Sequence, residues 1–386
     1  MQLTFSLITL FLWIYLFFFY STKGKKKITF WSNKVIFENE KIKSKKLKFK
    51  ICIIIPARNE EKTIVNTLNS IISQKIKDSL ILIVDDNSTD KTQKKIRDFL
   101  KNINYKNCKL INGKPLPIGW SGKVWALKQA VDFLKQKNFS HFLFVDSDIV
   151  LKKKIITNSI NFLEDRNLLM VSLMAKLKCE SLWERVLIPS FIYFFQKIYP
   201  FNKVNNPKSQ VAAAAGGFML CKSKVFENHN LYDSIKNKII DDCNIASLIK
   251  KRGPIWLGLT NQITSDRGYT NLPQIWRMVS RTAYEQLGNS LFFLKLSLLG
   301  MFLLYQFPLI SSLSAILNSK FQILLINLIT IFFITLSFIP TVNFYKLKYS
   351  YSLLLPLSSF IYILMTISSA YNYYFRQGNS WKGRKY

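Results

Sequence analysis

Apolar and polar positions divide the chain into three regimes. Residues 1–22 carry no charge, and "LTFSLITLFLWIYLFFFY", Leu3 to Tyr20, is almost unbroken in its apolarity, about the length that crosses a bilayer core of ~30 Å. From about 50 to 260, short β-rich runs alternate with helical ones. "KICIIIP" (50–56) reads as a buried strand, and "EEKTIVNTLNSII" after it places Ile64, Leu68 and Ile71 on one helical face. "LILIV" (80–84) is a second strand, ending at the turn and cap residues "DDNSTD". A helix to about 101, the strand "CKLI", a helix after Gly122 and the strand "HFLFV" (141–145) complete a βαβαβ series. That alternation predicts an α/β domain with a largely parallel sheet and its working edge at the strand C-termini.

Beyond 290 the pattern changes again. Leu296–Ser319, Phe321–Tyr345 and Tyr349–Phe375 are uncharged and each is long enough to span. The expected divisions are an N-terminal anchor (1–22), a basic cytoplasmic linker (23–49), an α/β domain (50–290) and a C-terminal membrane region (291–386) with two or three hydrophobic segments. No small-residue cleavage site follows the first segment, so it is expected to stay as an anchor. Lys23, Lys25, Lys26, Lys27 and "KIKSKKLKFK" (41–50) behind it predict that the domain is cytoplasmic, in a multi-pass protein of the cell (inner) membrane. If all three C-terminal segments cross, Lys346 and Lys348 lie inside while Lys320, Arg376, Lys382, Arg384 and Lys385 lie outside, against the charge bias. If the first, broken by Pro308, lies in the interface, the two sets swap; this second arrangement is the expectation.

Composition narrows the functional classes. The 386 residues carry a formal net charge of +33, but the lysines are scattered and no nucleic-acid module appears, so a cationic face toward anionic lipid is the expectation rather than nucleic acid. Five cysteines without a Cys-x-x-Cys pair, and only two histidines, fit a reducing compartment and argue against a zinc site.

The candidate chemistry gathers at strand ends. Asp146 and Asp148 follow "HFLFV"; two carboxylates there can hold a hard divalent cation that also binds phosphate oxygens, although such triplets also occur in ordinary turns. Asp85 and Asp86 close the preceding strand, alternatively as an Asx turn. "PARNEE" (56–61) closes the first, where Asn59 is also a helix-cap residue. Three polar strand ends on one edge argue for a shared site. Lys123 in "GWSGKVWALKQA" opens a helix, where backbone N–H groups and an ammonium meet phosphate, but the spacing is not a P-loop. Asp241 and Asp242 in "IIDDCNIASLIKKRG" precede an apolar helix, as an N-terminal acidic pair or as a general base. Arg277 and Arg281 share a helix face in "LPQIWRMVSRTAYEQL", reaching lipid headgroups or a diphosphate. Gly-x-Gly-x-x-Gly and Gly-x-Ser-x-Gly are both absent.

In this order the elements resemble glycosyltransferase family 2, over about 50–285. "PARNEE" stands where that family's first nucleotide-binding segment sits, "VDDNSTD" is similar to its second, "GKVWAL" to its Gly-Lys-x-x-Ala-Leu element and "DSD" to its Asp-x-Asp. "AAGGFMLCKSKVF" resembles the glycine-rich strand before the base, and "DDCNIASLIKKRG" its base helix. The resemblance implies a GT-A (Rossmann-like) fold and an inverting transfer from a nucleotide-diphosphate sugar to a hydroxyl. It places Pro56, Arg58, Asn59, Glu60, Asp85, Asp86, Lys123 and Asp146 at the donor, Asp148 with Asp146 on Mg²⁺ or Mn²⁺, and Asp242 beside Asp241 at the base. Gln274 and Arg277, with Arg281, are similar to a Gln-x-x-Arg-Trp element for diphosphate and acceptor, with Met278 in place of the tryptophan. Asn244 replaces an acidic residue of the base helix. "PLPIGWSGKVWAL", "LWERVLIPSFIYFFQKIYPFNKVN", "IWLGLT" and "IWRMVSRTAYEQL" resemble the hopene-associated subfamily, which implies a polyprenoid-type lipid acceptor. A sugar-phosphate nucleotidyltransferase would need a glycine-rich loop after the first strand, which "PARNEE" does not supply. A non-catalytic membrane scaffold retaining the fold predicts no donor turnover.

Overall fold

The computed structural model describes residues 1–19, 36–42, 48–103, 105, 107–227, 231–375, 380–382, 384 and 385. Lys23, Lys25, Lys26, Lys27 and Arg376, named above for their charge, lie outside the described residues.

Four strands run parallel at one side of the sheet: β1 (Ile51–Ala57), β2 (Ser79–Asp85), β3 (Cys108–Asn112) and β4 (His141–Val145), in the order β3-β2-β1-β4. Five of the seven residues of β1 and all five of β4 are buried in unbroken succession, as strands covered on both faces must be. Between them run α2 (Ile64–Ile72), α3 (Thr92–Asn102) and α4 (Gly122–Leu134). The expected face of α2 is the buried one, through Ile64, Leu68 and Ile71.

The sheet is less parallel than expected. It continues through β5 (Ile149–Leu151), β6 (Met170–Lys176), β7 (Phe218–Lys222) and β8 (Ile255–Ser265), eight strands in the order β3-β2-β1-β4-β7-β6-β8-β5. β7 runs antiparallel to both β4 and β6, and β5 antiparallel to β8. Between β6 and β7 the chain runs through two helices and the extended segment "AAAAGG", and it enters β7 between β4 and β6 in the direction opposite to both. Packed on or beside this half are α5 (Ile155–Asp165), α6 (Leu182–Ile198), α7 (Phe201–Val204) and α8 (Asp241–Lys250). α6 begins with a capping box: the Ser181 hydroxyl accepts from Glu184 N, and Glu184 Oε2 accepts from Ser181 N.

The remaining helices are apolar or amphipathic. α9 (Leu272–Ser280) and α10 (Ala283–Gln286) follow the domain's last strand and line its cavity. α11 (Leu291–Met301) and α12 (Phe307–Leu317), joined by a π-turn, form one helix of 27 residues; α13 (Phe321–Phe344) and α14 (Leu355–Phe375, continuous with a 3₁₀ turn from Tyr349) follow. These three are long and apolar enough to cross a membrane, whereas the N-terminal helix α1 (Gln2–Ile14, extended to Phe18) is shorter. α1 packs with α12 and α13 through a buried polar knot, in which Asn327 Nδ2 donates to the hydroxyls of Ser6 (3.1 Å) and Ser311 (2.9 Å).

Two contacts tie the C-terminal segments to the α/β domain. Lys176 Nζ of β6 donates to the Phe344 carbonyl (3.0 Å), and Tyr345 belongs to the core of the α/β domain, so α13 ends at the domain. α14 then lies along that domain instead of leaving it. Ser358 Oγ donates to the Val186 carbonyl (2.9 Å), Trp276 Nε1 to Ser368 Oγ (3.1 Å), and the hydroxyls of Tyr284 and Tyr374 meet at 2.9 Å. Ser358 and Tyr374 are sixteen residues apart, roughly 24 Å of helix. Segment 349–375 is thus held along its length by α6, α9 and α10. Small hydroxyl side chains on one face of α14 allow this, because they bond to α6, α9 and α10 where bulkier apolar groups would hold the helices apart.

Candidate active site

The C-terminal ends of β1 and β4, the first turns of α4 and α8, and the loop after β8 meet around a cavity of about 740 Å³. Asp146 and Asp148 are not strand residues; they occupy the turn just beyond β4. Asp146 Oδ1 lies 2.9 Å from Lys123 Nζ, and the same ammonium is 3.3 Å from Asp241 Oδ2. Lys123, in the first turn of α4, thus joins the acidic turn to the acidic start of α8. Burial by itself would lower the Lys123 ammonium, but Asp146, Asp241 and Asp242 outweigh it and hold it above its usual value.

Asp242 is fixed by backbone. Its Oδ2 accepts from Gly216 N and its Oδ1 from Cys243 N, both at 2.8 Å. Burial, with Asp241 beside it, pushes its carboxyl up to about 6, against the lowering pull of Lys123 and the two N–H groups. A Cβ on Gly216 would stand 2.9 Å from Lys123 Nζ and 3.2 Å from Asp242 Oδ2, so any larger residue there displaces the lysine head from the carboxylate. Asp146 is also raised, first by burial and then by the neighbouring carboxylates, with Lys123 opposing.

Across the cavity, Asp148 Oδ2 accepts from Ser265 Oγ (2.7 Å) and lies 3.3 Å from Arg267 Nε; Arg267 Nη2 reaches Glu60 Oε1 at 2.5 Å. Ser265 and Arg267 were not singled out from sequence. Their signal was the polar "SDRG" closing the long apolar strand β8, the same kind of strand end that marks Asp146 and Asp148. Lys382, which no sequence pattern marks, reaches Glu60 from the C-terminal tail.

Among the residues expected at the site, Pro56, Arg58, Glu60, Lys123, Asp146, Asp148, Asp241, Asp242, Gln274, Arg277 and Arg281 line this one cavity. Asn59, Asp85 and Asp86 are not among its lining residues. Asp85 is fully buried; its Oδ2 accepts from Ser88 N (3.1 Å) and Gln93 Nε2 (2.6 Å), and its Oδ1 has no hydrogen-bond partner among the described residues. The Asp86 carbonyl accepts from Arg58 Nη1 (2.5 Å), and Asn59 Oδ1 from Thr89 N (2.9 Å); both join the ends of β1 and β2. At the far end the wall turns apolar, with Phe191, Phe194 and Phe195 of α6, Met278 and Val279 of α9, Met301 of α11 and Tyr362 of α14.

Hard oxygen donors suit a divalent cation, and Asp146 and Asp148 offer them. Among the described residues no group of three or more His, Cys, Asp or Glu is arranged to hold a metal ion. The pair therefore fits such an ion only if diphosphate oxygens and water complete its shell, as the space beside it allows.

With this geometry in view, the relationships of the chain are clear in class. The family model described as Glycosyl transferase family 2 matches residues 52–229. The poly-beta-1,6-N-acetyl-D-glucosamine synthase of Staphylococcus epidermidis is 30% identical over 101 residues, 26% of this chain and 22% of that protein, so the match spans about a fifth of that relative. The mannosyltransferase PcManGT from Pyrobaculum calidifontis, solved in complex with GDP-Man and Mn²⁺, superposes with a TM-score of 0.57 at 13% identity, covering 98% of this chain and 100% of that one. Residues 52–229 thus match a family 2 glycosyltransferase domain, and the chain is built on the GT-A fold.

Proposed function

We propose that this protein is a membrane-bound inverting glycosyltransferase that moves a sugar from a nucleotide-diphosphate donor to a hydroxyl of a lipid, of the hopanoid or other polyprenoid type. The observation that carries the reading is the cavity itself: a carboxylate held by two backbone N–H groups, Asp242, faces Asp146 and Asp148 at the polar end, while the other end is walled by membrane-side helices. The mannosyltransferase of similar fold, solved with a nucleotide sugar and Mn²⁺, supports the donor class and the use of a divalent ion.

In this reading Asp242 takes the proton of the acceptor hydroxyl. A carboxyl raised to about 6 is still anionic at neutral pH but is a stronger base than an exposed aspartate. The hydroxyl attacks the anomeric carbon from the face opposite the diphosphate, which inverts the configuration. Lys123 stays charged and keeps Asp146 and Asp241 from repelling the donor. Asp146 and Asp148 would hold Mg²⁺ or Mn²⁺, which when bound offsets the charge on the departing diphosphate. Arg277 and Arg281 lie on the same wall and offer guanidinium donors to the diphosphate.

The cavity's domain and both ends of the α14 segment face the same side. The lysines at 346 and 348 and the basic tail make that side the cytoplasm by the charge bias, with the α12–α13 turn at Lys320 on the other.

The test is a panel of nucleotide sugars given to the protein in native lipid extract with Mn²⁺, followed by mass spectrometry of the lipids. One new glycosylated lipid, absent with Asp242→Asn, is the expected result; no release of nucleotide from any donor would sink the proposal.

A further inference from the structure

We propose that Lys382, on the C-terminal tail, is a donor-binding residue whose ammonium meets the diphosphate of the nucleotide sugar, so that the tail closes over the donor end of the cavity. The proposal rests on the transferase reading above.

The tail returns to the domain. Residues Ser380–Trp381 and Arg384–Lys385 form a small antiparallel ladder, with Lys382 in the turn between them. Lys382 is docked on the end of β1 in both directions: Arg58 Nε donates to the Lys382 carbonyl (3.2 Å), and Lys382 Nζ donates to the Arg58 carbonyl (2.6 Å). The ammonium also reaches Glu60 Oε1, which it shares with Arg267. Its side chain is only 12% exposed and lines the same cavity as Asp146 and Asp148. A tail that merely strapped the surface would turn a lysine head toward water, the cheapest place for it.

Charge says what this end of the cavity is built to take. Arg58, Arg267 and Lys382 stand here against two carboxylates, Glu60 and Asp148. The Arg58 guanidinium is spent on neutral carbonyls, those of Asp86, Asn87 and Lys382, which cancel none of its charge. The surplus is positive and half enclosed. A nucleoside diphosphate brings at least two negative charges, and oxygens that accept charge-assisted hydrogen bonds. Burial, with Arg267 nearby, holds the Lys382 ammonium below its usual value, with Glu60 opposing.

The experiment uses the full-length protein in nanodiscs of native lipid extract with Mn²⁺, and UDP and GDP as probes. For whichever nucleotide the unaltered protein binds, Lys382→Ala is expected to weaken binding about ten-fold or more, the effect of one charge-assisted hydrogen bond. It should raise the donor KM by a similar factor and change binding of the matching monophosphate much less. Lys382→Arg, which keeps the charge, should recover part of the loss, and thermal unfolding of each variant shows that it is folded. Unchanged diphosphate binding by Lys382→Ala would make the lysine a structural pin, and tighter binding would make the tail a plug; either overturns the proposal while leaving the transferase standing. If the unaltered protein binds neither nucleotide and turns over no nucleotide sugar, both fall.

Discussion

The backbone N–H of Gly216 holds Asp242 Oδ2 at 2.8 Å, and the space above that glycine is already taken by Lys123 Nζ. The carboxylate is aimed by a residue that has no side chain of its own. Gly216→Ala is therefore expected to push Lys123 and Asp242 apart and to lower kcat by about 10–100-fold, since a 1 Å misplacement of a reacting group costs up to about that much. Nucleotide binding at the opposite wall should change little. Steady-state kinetics beside a nucleotide-binding isotherm make the comparison.

Asp242 sets the pH dependence. Its carboxyl sits near 6, above the ordinary 3.8, and the base works only when ionised. Activity should accordingly hold above pH 7 and fall as pH drops through about 6, a limb visible in kcat/KM against pH. Asp242→Asn should remove the limb together with the activity, a loss of about 10²–10⁴-fold. The sign for stability is opposite: a carboxyl raised in the folded state costs stability at pH values above 6, where it is charged, and nothing below about 4. The asparagine variant should thus melt higher than the parent at pH 8, with the gap closing as pH falls from 6 to 4.

Arg267 neutralises Glu60 and Asp148 at once. Its replacement by alanine leaves two enclosed carboxylates without it, a loss of roughly 2–3 kcal/mol after discounting for its partial exposure. Mn²⁺ should restore part of that stability, because Asp148 regains a counter-charge. Thermal unfolding with and without the ion, in the parent and in Arg267→Ala, reads this out.

Much of the domain was legible because strands buried on both faces leave unbroken apolar runs, as in β1, β2 and β4; these and the partly exposed edge strand β3 lie within a residue of where "KICIIIP", "LILIV", "HFLFV" and "CKLI" place them. The reversal at β7 was not, since the direction in which the chain re-enters the sheet after residues 182–204 is fixed by tertiary packing and not by any residue within the strand. The site was legible where polar residues end apolar strands, as at Asp146, Asp148 and Glu60. Asp85 ends a strand in the same way: its Oδ2 accepts within its own turn, while its Oδ1 is buried without a hydrogen-bond partner among the described residues. Lys382 was hidden because 322 residues separate it from Glu60 and nothing local marks a tail that turns back.

The path of α14 predicts sidedness. A single cysteine in place of Asn318 should react with an impermeant thiol reagent added to intact cells, and one in place of Lys348 only after the membrane is opened. Tyr345, three residues before Lys348, packs in the domain core, whereas Asn318 lies at the far turn. Reaction at both positions in intact cells, or at neither, would contradict the arrangement.

The cavity that begins at Glu60 and Asp148 ends against Phe194, Met301 and Tyr362. A water-soluble donor and an oily acceptor need not leave their own phases to react in such a chamber: each enters from the side where it is already dissolved. With the proposed lipid acceptor, the protein works as a seam between two solvents, and extraction into detergent should impair it through the supply of acceptor well before its fold is lost.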